Sequence, residues 1–276
     1  MRKYAMVRDL LAADGIFDFV EAPPADEATI RLAHDGDYVR RFLDGALDRA
    51  VIRRIGFPWS EGLVCRTLAS VGGSLMAAED AMQFGWGGNL AGGTHHASYS
   101  EGSGFCVFND IAIVIQWLRS QQRIRRAAVI DLDVHQGDGT AGIFAADPDV
   151  LTLSMHGRNN FPFRKQQSRI DIDLADGAGD EEYLGLLARA LPRVFEFAPD
   201  FLVYQSGVDA LESDTLGRLS LTPGGLHQRD QMVFEGCRSY GKPLLVTLGG
   251  GYSDPIANTA EAHASTYRTA HRVLGF

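Results

Sequence analysis

Four short runs of apolar, branch-rich residues punctuate the chain: AAVIDL (127–132), VLTLSM (150–155), FLVYQS (201–206) and LLVTLG (244–249). Unbroken apolar runs of this length predict strands buried on both faces, as in parallel sheets, rather than half-exposed antiparallel ones. Residues 66–84, 108–121, 180–197 and 223–239 instead repeat apolar positions at helical spacing. The last of these opens on TPGG, with Thr222 placed as N-cap and Pro223 in the first turn. Alternation of the two patterns predicts an α/β fold, a mostly parallel central sheet flanked by helices. No internal repeat, low-complexity tract or long linker interrupts it, so residues 1–276 read as a single domain.

Each predicted strand is followed by polar or glycine-rich sequence: Asp131 to Asp138 after the first, His156 to Phe163 after the second, Gly207 and Asp209 after the third, Gly249 to Tyr252 after the fourth. In a parallel sheet these carboxyl ends share one edge, where open α/β folds place their ligand crevices. The loop GNLAGGTHHASYSEGSGFC (88–106) brings two adjacent histidines within reach of that edge.

Composition narrows the setting. An apolar content of 45% with 22% charged residues over 276 positions is ordinary for a globular chain with a sizeable core and excludes a disordered or coiled-coil reading. No apolar run approaches the roughly 20 residues that span a bilayer, and MRKYAMVRDLLAADG has no long apolar signal region, so the expected location is cytoplasmic. Cys65, Cys106 and Cys237 are widely spaced and form neither a disulfide framework nor a thiolate zinc site. A net charge of −9 disfavours nucleic acid as a partner, while an acidic surface suits cationic substrates such as lysine side chains or polyamines.

Asp133 and His135, two residues apart, turn to one face in extended backbone and converge on one cation, with Asp209 available as a third ligand. Two carboxylates and one imidazole leave a fourth position open, as in catalytic rather than structural zinc sites. The alternative is that such residues only cap strand-end amides, and convergence of four strand ends argues against it. His95 and His96 each need an orienting acid, and Asp131 and Asp138 are the unassigned ones. Tyr252, after three glycines at a strand end, is placed to donate to an oxygen that becomes negative.

Together these segments resemble the histone deacetylase superfamily. The resemblance rests on GGTHHASYSEGSGFCVFND (92–110), VIDLDVHQGDGT (129–140), TLSMHG (152–157), YQSGVDAL (204–211), LSLTPGG (219–225) and LGGGY (248–252). Gln136 and the HGRNNFPF loop look most like the class IV branch and its bacterial relatives. The resemblance implies an arginase/deacetylase-like fold and a zinc-dependent amidohydrolase acting on acyl-lysine or acylated small amines. It makes Asp133, His135 and Asp209 the zinc ligands. His96 paired with Asp138 would be the main general base and acid, His95 paired with Asp131 its electrostatic partner, and Tyr252 the oxyanion donor. Gly104, Phe105 and Phe161 would line the substrate channel. A structural potassium ion would be held by Asp131, the Ser154 hydroxyl and the carbonyls of Asp133, His135 and Met155.

Two departures from the family pattern stand out. Family members begin with a strand upstream of the segment resembling MRKYAMVRDLL, so here that strand is either dispensable or cut off. Thr94 replaces a bulkier residue before the histidine pair, which would open the pocket foot to acyl groups longer than acetyl. A binuclear manganese ureohydrolase is disfavoured, because the second metal would need carboxylates where Gly137 and Leu211 stand. A non-catalytic acyl-amine binder is disfavoured because no histidine, metal ligand or Tyr252 has been lost. The ligand types do not separate zinc from ferrous iron, and nothing in the pattern specifies an oligomeric state.

Overall fold

In the computed structural model, which describes residues 2–275, the sheet consists of β1 (Trp86–Asn89), β2 (Ala127–Asp131), β3 (Val150–Gly157), β4 (Ile170–Leu174), β5 (Phe201–Gln205) and β6 (Leu244–Thr247). Their spatial order is β1-β6-β5-β2-β3-β4, and every neighbouring pair is parallel. β2, β3, β5 and β6 are the four apolar runs, all wholly buried. β3 runs two residues further than the pattern predicts because Met155, His156 and Gly157 pair with Ile172, Asp173 and Leu174.

The two edge strands are the ones the apolar pattern omits. β1 is WGGN, with two glycines and no apolar run. β4 is IDIDL, in which Ile170 and Leu174 face inward and Asp171 and Asp173 face solvent, the alternation of a strand with one wet face.

Both sheet faces are covered. Ala128 and Ile130 of β2 enter a core shared with helices Asp180–Glu196, Pro223–Tyr240 and Ile256–Leu274, while Ala127 and Val129 enter a second core under helices Glu61–Phe84 and Asp110–Ser120. The helix starts follow side-chain caps: Ser60 accepts from Leu63 N–H, Asn109 from Ala112 N–H and Thr222 from Gly225 N–H. The Ser60 cap starts its helix at Glu61, five residues before the apolar periodicity becomes visible at 66. The chain opens with helix Arg2–Asp14, whose buried residues are Lys3, Val7 and Leu11.

His34 joins the second core to the histidine loop. Its Nε2 accepts the Asn109 N–H at 2.8 Å, so the ring proton sits on Nδ1 and is donated to Tyr99 O at 3.2 Å. The Asn109 side-chain amide in turn donates to Ala97 O and Thr140 Oγ1, at 3.1 and 2.9 Å. Burial pushes His34 down to about 4. The unfolded chain therefore takes up a proton near pH 6.5 that the folded chain refuses until about pH 4, and stability falls across that window as pH drops, by up to roughly 3 kcal/mol. Urea unfolding of wild type and His34→Gln at pH 7 and pH 5 should show the stability gap between them narrowing at pH 5. Equal pH slopes would remove this role from His34.

Candidate active site

The turns after β2 and β5 bring Asp133, His135 and Asp209 together, with one ligand atom of each within 4.8 Å of the others. The β2 ladder stops at Asp131, so Asp133 and His135 lie in a bend beyond it rather than in extended strand. The bend arises because the backbone amides leave the ladder for side chains: Val134 N–H donates to Asp209 Oδ1 at 2.8 Å and His135 N–H to Asp133 Oδ1 at 3.0 Å. His135 Nδ1 lies 3.1 Å from both Asp133 Oδ1 and Asp209 Oδ2, and Gly250 N–H holds Asp133 Oδ2 at 2.8 Å. Two glycines make the room. A Cβ on Gly207 would lie 2.2 Å from Asp133 Oδ2, and one on Gly250 2.0 Å from Asp209 Oδ2.

Burial opposes a charge on His135, yet the hydrogen bonds and charges of Asp133 and Asp209 outweigh it and raise the imidazole to about 10. Burial and the neighbouring Asp133 charge lift Asp209 to about 7. Two buried acids and the imidazole between them converge here as candidate ligands for one cation. Two oxygens and one nitrogen, with the histidine edge open to the cavity, match the donor set of a catalytic zinc site.

His95 and His96 stand side by side with ring centroids 4.1 Å apart. Asp131 Oδ2 lies 2.7 Å from His95 Nδ1, and Asp138 Oδ1 lies 2.6 Å from His96 Nδ1. Each carboxylate thus fixes a tautomer with its proton on Nδ1 and leaves Nε2 for other partners. The two rings differ in basicity. Burial opposes protonation of His95, but Asp131 and Asp133 outweigh it and raise the ring to about 9. Burial, and then the charge of His95, push His96 down to about 4. The surroundings thus push the two rings in opposite directions, an arrangement suited to separating an electrostatic role from a base role. Asp110 holds the loop that presents them, accepting from Gly93 and Thr94 N–H at 3.0 and 2.8 Å.

A cavity of about 1880 Å³ has Asp133, His135, Asp209, both histidines of the pair and Tyr252 on its wall. Gly104, Phe105 and Phe161 also line it. A Cβ on Gly104, at φ +53°, would lie 2.6 Å from His96 Cδ2, and Phe161 meets His96 edge-on at 4.9 Å between centroids. Phe105 contacts Tyr252 at 6.3 Å between centroids. Burial raises the Tyr252 phenol above its ordinary range, so it stays a proton donor at neutral pH. Thr94, Leu90, Trp86 and Phe84 also line the cavity. The Thr94 hydroxyl sits between Phe108 O and Asp110 Oδ1, at 2.5 and 2.6 Å.

A family model described as the histone deacetylase domain matches residues 1–268. The chain belongs to the histone deacetylase family. As a deacetylase-family member it is a hydrolase of amide bonds, in a family that is generally zinc-dependent. Among its relatives, an uncharacterized protein of Picosynechococcus sp. is 42% identical over 99% of this chain and 92% of its own length. Histone deacetylase 2 of Arabidopsis thaliana is 32% identical over 91% of this chain and 68% of its own. In fold, the acetylpolyamine aminohydrolase of Burkholderia pseudomallei superposes with a TM-score of 0.78 at 23% identity, covering 98% of this chain and 90% of that one.

Other parts of the deacetylase motifs also find their places. Asp131 and Ser154 face each other in register across β2 and β3, and Ser154 Oγ lies 3.0 Å from His156 Nδ1. Gln136 ties down the aromatic loop, donating to Gln166 O and Asp171 Oδ1 and accepting from Gln166 N–H, each at 2.8 Å. Gly137 leaves no room for a second-metal ligand, since a Cβ there would lie 2.2 Å from Asp131 Oδ2. Leu211 is buried in the core.

The sequence pattern misses Lys3. Its ammonium, buried on the first helix, donates to Gly249 O at 2.9 Å and sits 4.8 Å from the centre of the Tyr252 ring. A lysine in the second position of a helix carries no signal of that contact.

Proposed function

We propose that the chain is a mononuclear zinc amidohydrolase that removes acetyl or longer acyl groups from acyl-lysine or from acylated small amines. The observation that carries this reading is the meeting of two His–Asp pairs with the Asp133–His135–Asp209 cluster on one cavity wall. A zinc ion held by those three residues would supply a Lewis acid that polarises the acyl carbonyl and acidifies water. The protein's own groups do the rest. His96, neutral and with Nε2 free, takes the proton of the attacking water, and Asp138 on Nδ1 stabilises the imidazolium that forms. His95, charged and anchored by Asp131, contributes a fixed positive field. The Tyr252 hydroxyl donates to the oxyanion as the carbonyl carbon becomes tetrahedral, and His96 then delivers its proton to the leaving amine. An amide has a poor leaving group, so that final protonation is as necessary as the attack.

Gly104, Phe105 and Phe161 suit the alkyl stem of an acyl-lysine or acyl-polyamine, as a glycine floor between two aromatic walls admits a narrow chain. We further assign a structural potassium ion to Asp131, Ser154 and the carbonyls of Asp133, His135 and Met155. Its support is the Asp131–Ser154 register. Residues 1–276 act as one catalytic domain in this reading. Three free cysteines suit the reducing cytoplasm.

The test is an activity panel of zinc-loaded enzyme across acyl chain length and amine carrier, with Tyr252→Phe as control. Because a residue as small as Thr94 stands beside the histidine pair on the cavity wall, octanoyl-lysine peptide should be turned over faster than acetyl-lysine peptide. Equal or slower octanoyl turnover would discard the open-foot reading, and amide turnover unaffected by Tyr252→Phe would discard the mechanism.

A further inference from the structure

Arg229 lies on helix Pro223–Tyr240 and is completely buried, yet it does not line the cavity. Its Nη1 donates to Gly207 O at 2.6 Å and to Leu132 O at 3.3 Å. Leu132 immediately precedes Asp133, and Gly207 stands two residues before Asp209. One guanidinium therefore bridges the turns after β2 and β5, which carry all three members of the metal cluster. Leu132 N–H to Gln205 O, at 3.1 Å, is the neighbouring link between those turns.

The guanidinium is itself fixed. Asp230 Oδ1 accepts from Arg229 Nε at 2.9 Å and lies 2.8 Å from Nη2. The same carboxylate accepts from Tyr204 Oη at 2.5 Å and Thr266 Oγ1 at 2.6 Å, so it is anchored to both β5 and helix Ile256–Leu274. A buried ion pair is weak evidence for stability, since apolar replacements of like volume often match or exceed it. What an apolar side chain cannot do is hold two carbonyl oxygens on separate strands at a fixed spacing. That spacing matters here because the Gly207 backbone presses on Asp133, where even one added carbon would lie 2.2 Å from the carboxylate oxygen.

We propose that Arg229, clamped by Asp230, is a positioning residue that sets the separation of Asp133 from Asp209 and thereby the zinc affinity of the cluster. This rests on the mononuclear zinc reading given above. Removing the fork lets the two turns drift apart, the carboxylates lose their common focus, and the ion is held less tightly, as when a partner of a metal ligand is lost.

The experiment measures zinc dissociation constants of metal-free protein by competition with a chromophoric chelator. It compares wild type, Arg229→Lys, Arg229→Met, Arg229→Met/Asp230→Asn, and Val233→Ala as a core-weakening control on the same helix. The double variant removes both buried charges while Asn keeps an acceptor for Tyr204 and offers its NH2 to the Thr266 hydroxyl, which can turn from donor to acceptor, so it serves if Arg229→Met alone does not fold. Arg229→Met or the double variant should weaken zinc binding about 10- to 100-fold. Arg229→Lys should recover part of it, and Val233→Ala should lower the melting temperature with zinc affinity unchanged. The visible d–d spectrum of cobalt-loaded Arg229→Met, or of the double variant, should shift from wild type, reporting altered ligand geometry independently of turnover. Wild-type zinc affinity and an unshifted cobalt spectrum in the Met variants would overturn the proposal, as would an equal affinity loss in Val233→Ala. If wild type bound zinc no better than Asp209→Ala, the metal reading would fall and the clamp with it.

Discussion

Asp209→Ala should lose zinc and amide hydrolysis together. The cluster has three protein donors, and an open three-ligand site cannot spare one. The loss of affinity should exceed the about 100-fold that removal of an outer partner costs. Alanine also strands the Val134 N–H that Asp209 Oδ1 now accepts at 2.8 Å, so the bend after β2 loosens as well. Asp209→Asn separates the two effects. It keeps the shape and an acceptor, and it removes one of two crowded buried carboxylates, so its metal-free form should melt no lower than metal-free wild type. Metal analysis of the purified variants, with thermal melting of the stripped forms, reads both. Zinc at one equivalent per chain in Asp209→Ala would end this ligand assignment, and two equivalents in wild type would end the mononuclear one.

His96→Ala and Tyr252→Phe should behave in the opposite way, binding zinc normally and folding normally but failing to turn over. Loss of one oxyanion donor costs about 100- to 1000-fold in kcat, and loss of a general acid–base residue about 100- to 10,000-fold. In Tyr252→Phe the ring keeps its contacts with Phe105 and the Lys3 ammonium, so KM should move little while kcat collapses. For His96, the neighbouring His95 is no substitute, because Asp131, 2.7 Å from its Nδ1, favours its protonated form and so weakens it as a base. Steady-state kcat and KM with an acyl-lysine peptide, beside zinc content, decide the matter. A kcat within about threefold of wild type in either variant would remove that residue from the mechanism.

Much of the fold is legible because parallel strands buried on both faces must be apolar throughout, which is why β2, β3, β5 and β6 stand out as uninterrupted runs. β1 and β4 escape the same test for the converse reason. WGGN is a glycine-rich edge held by β6 and the helix Glu61–Phe84, and IDIDL keeps its acids in water. The candidate metal donors are legible because parallel topology gathers every carboxyl-terminal turn on one edge, so Asp133, His135 and Asp209 are foreseeable neighbours although the last two stand 74 positions apart. The supporting residues are not. Lys3, His34 and Arg229 act on backbone carbonyls or amides between about 22 and 246 positions away, and a contact with backbone leaves no pattern in the sequence that receives it.

By itself, then, the sequence determined the chemical types at the strand ends and their order, since burial and strand direction follow from local composition. Only the tertiary structure decided how those groups divide their labour. The depth of each ring and the acid facing it push His95 up and His96 down, and the crowding at Gly207 and Gly250 sets how closely two carboxylates approach. Those quantities depend on dielectric and distance, which exist only once the turns have been packed together.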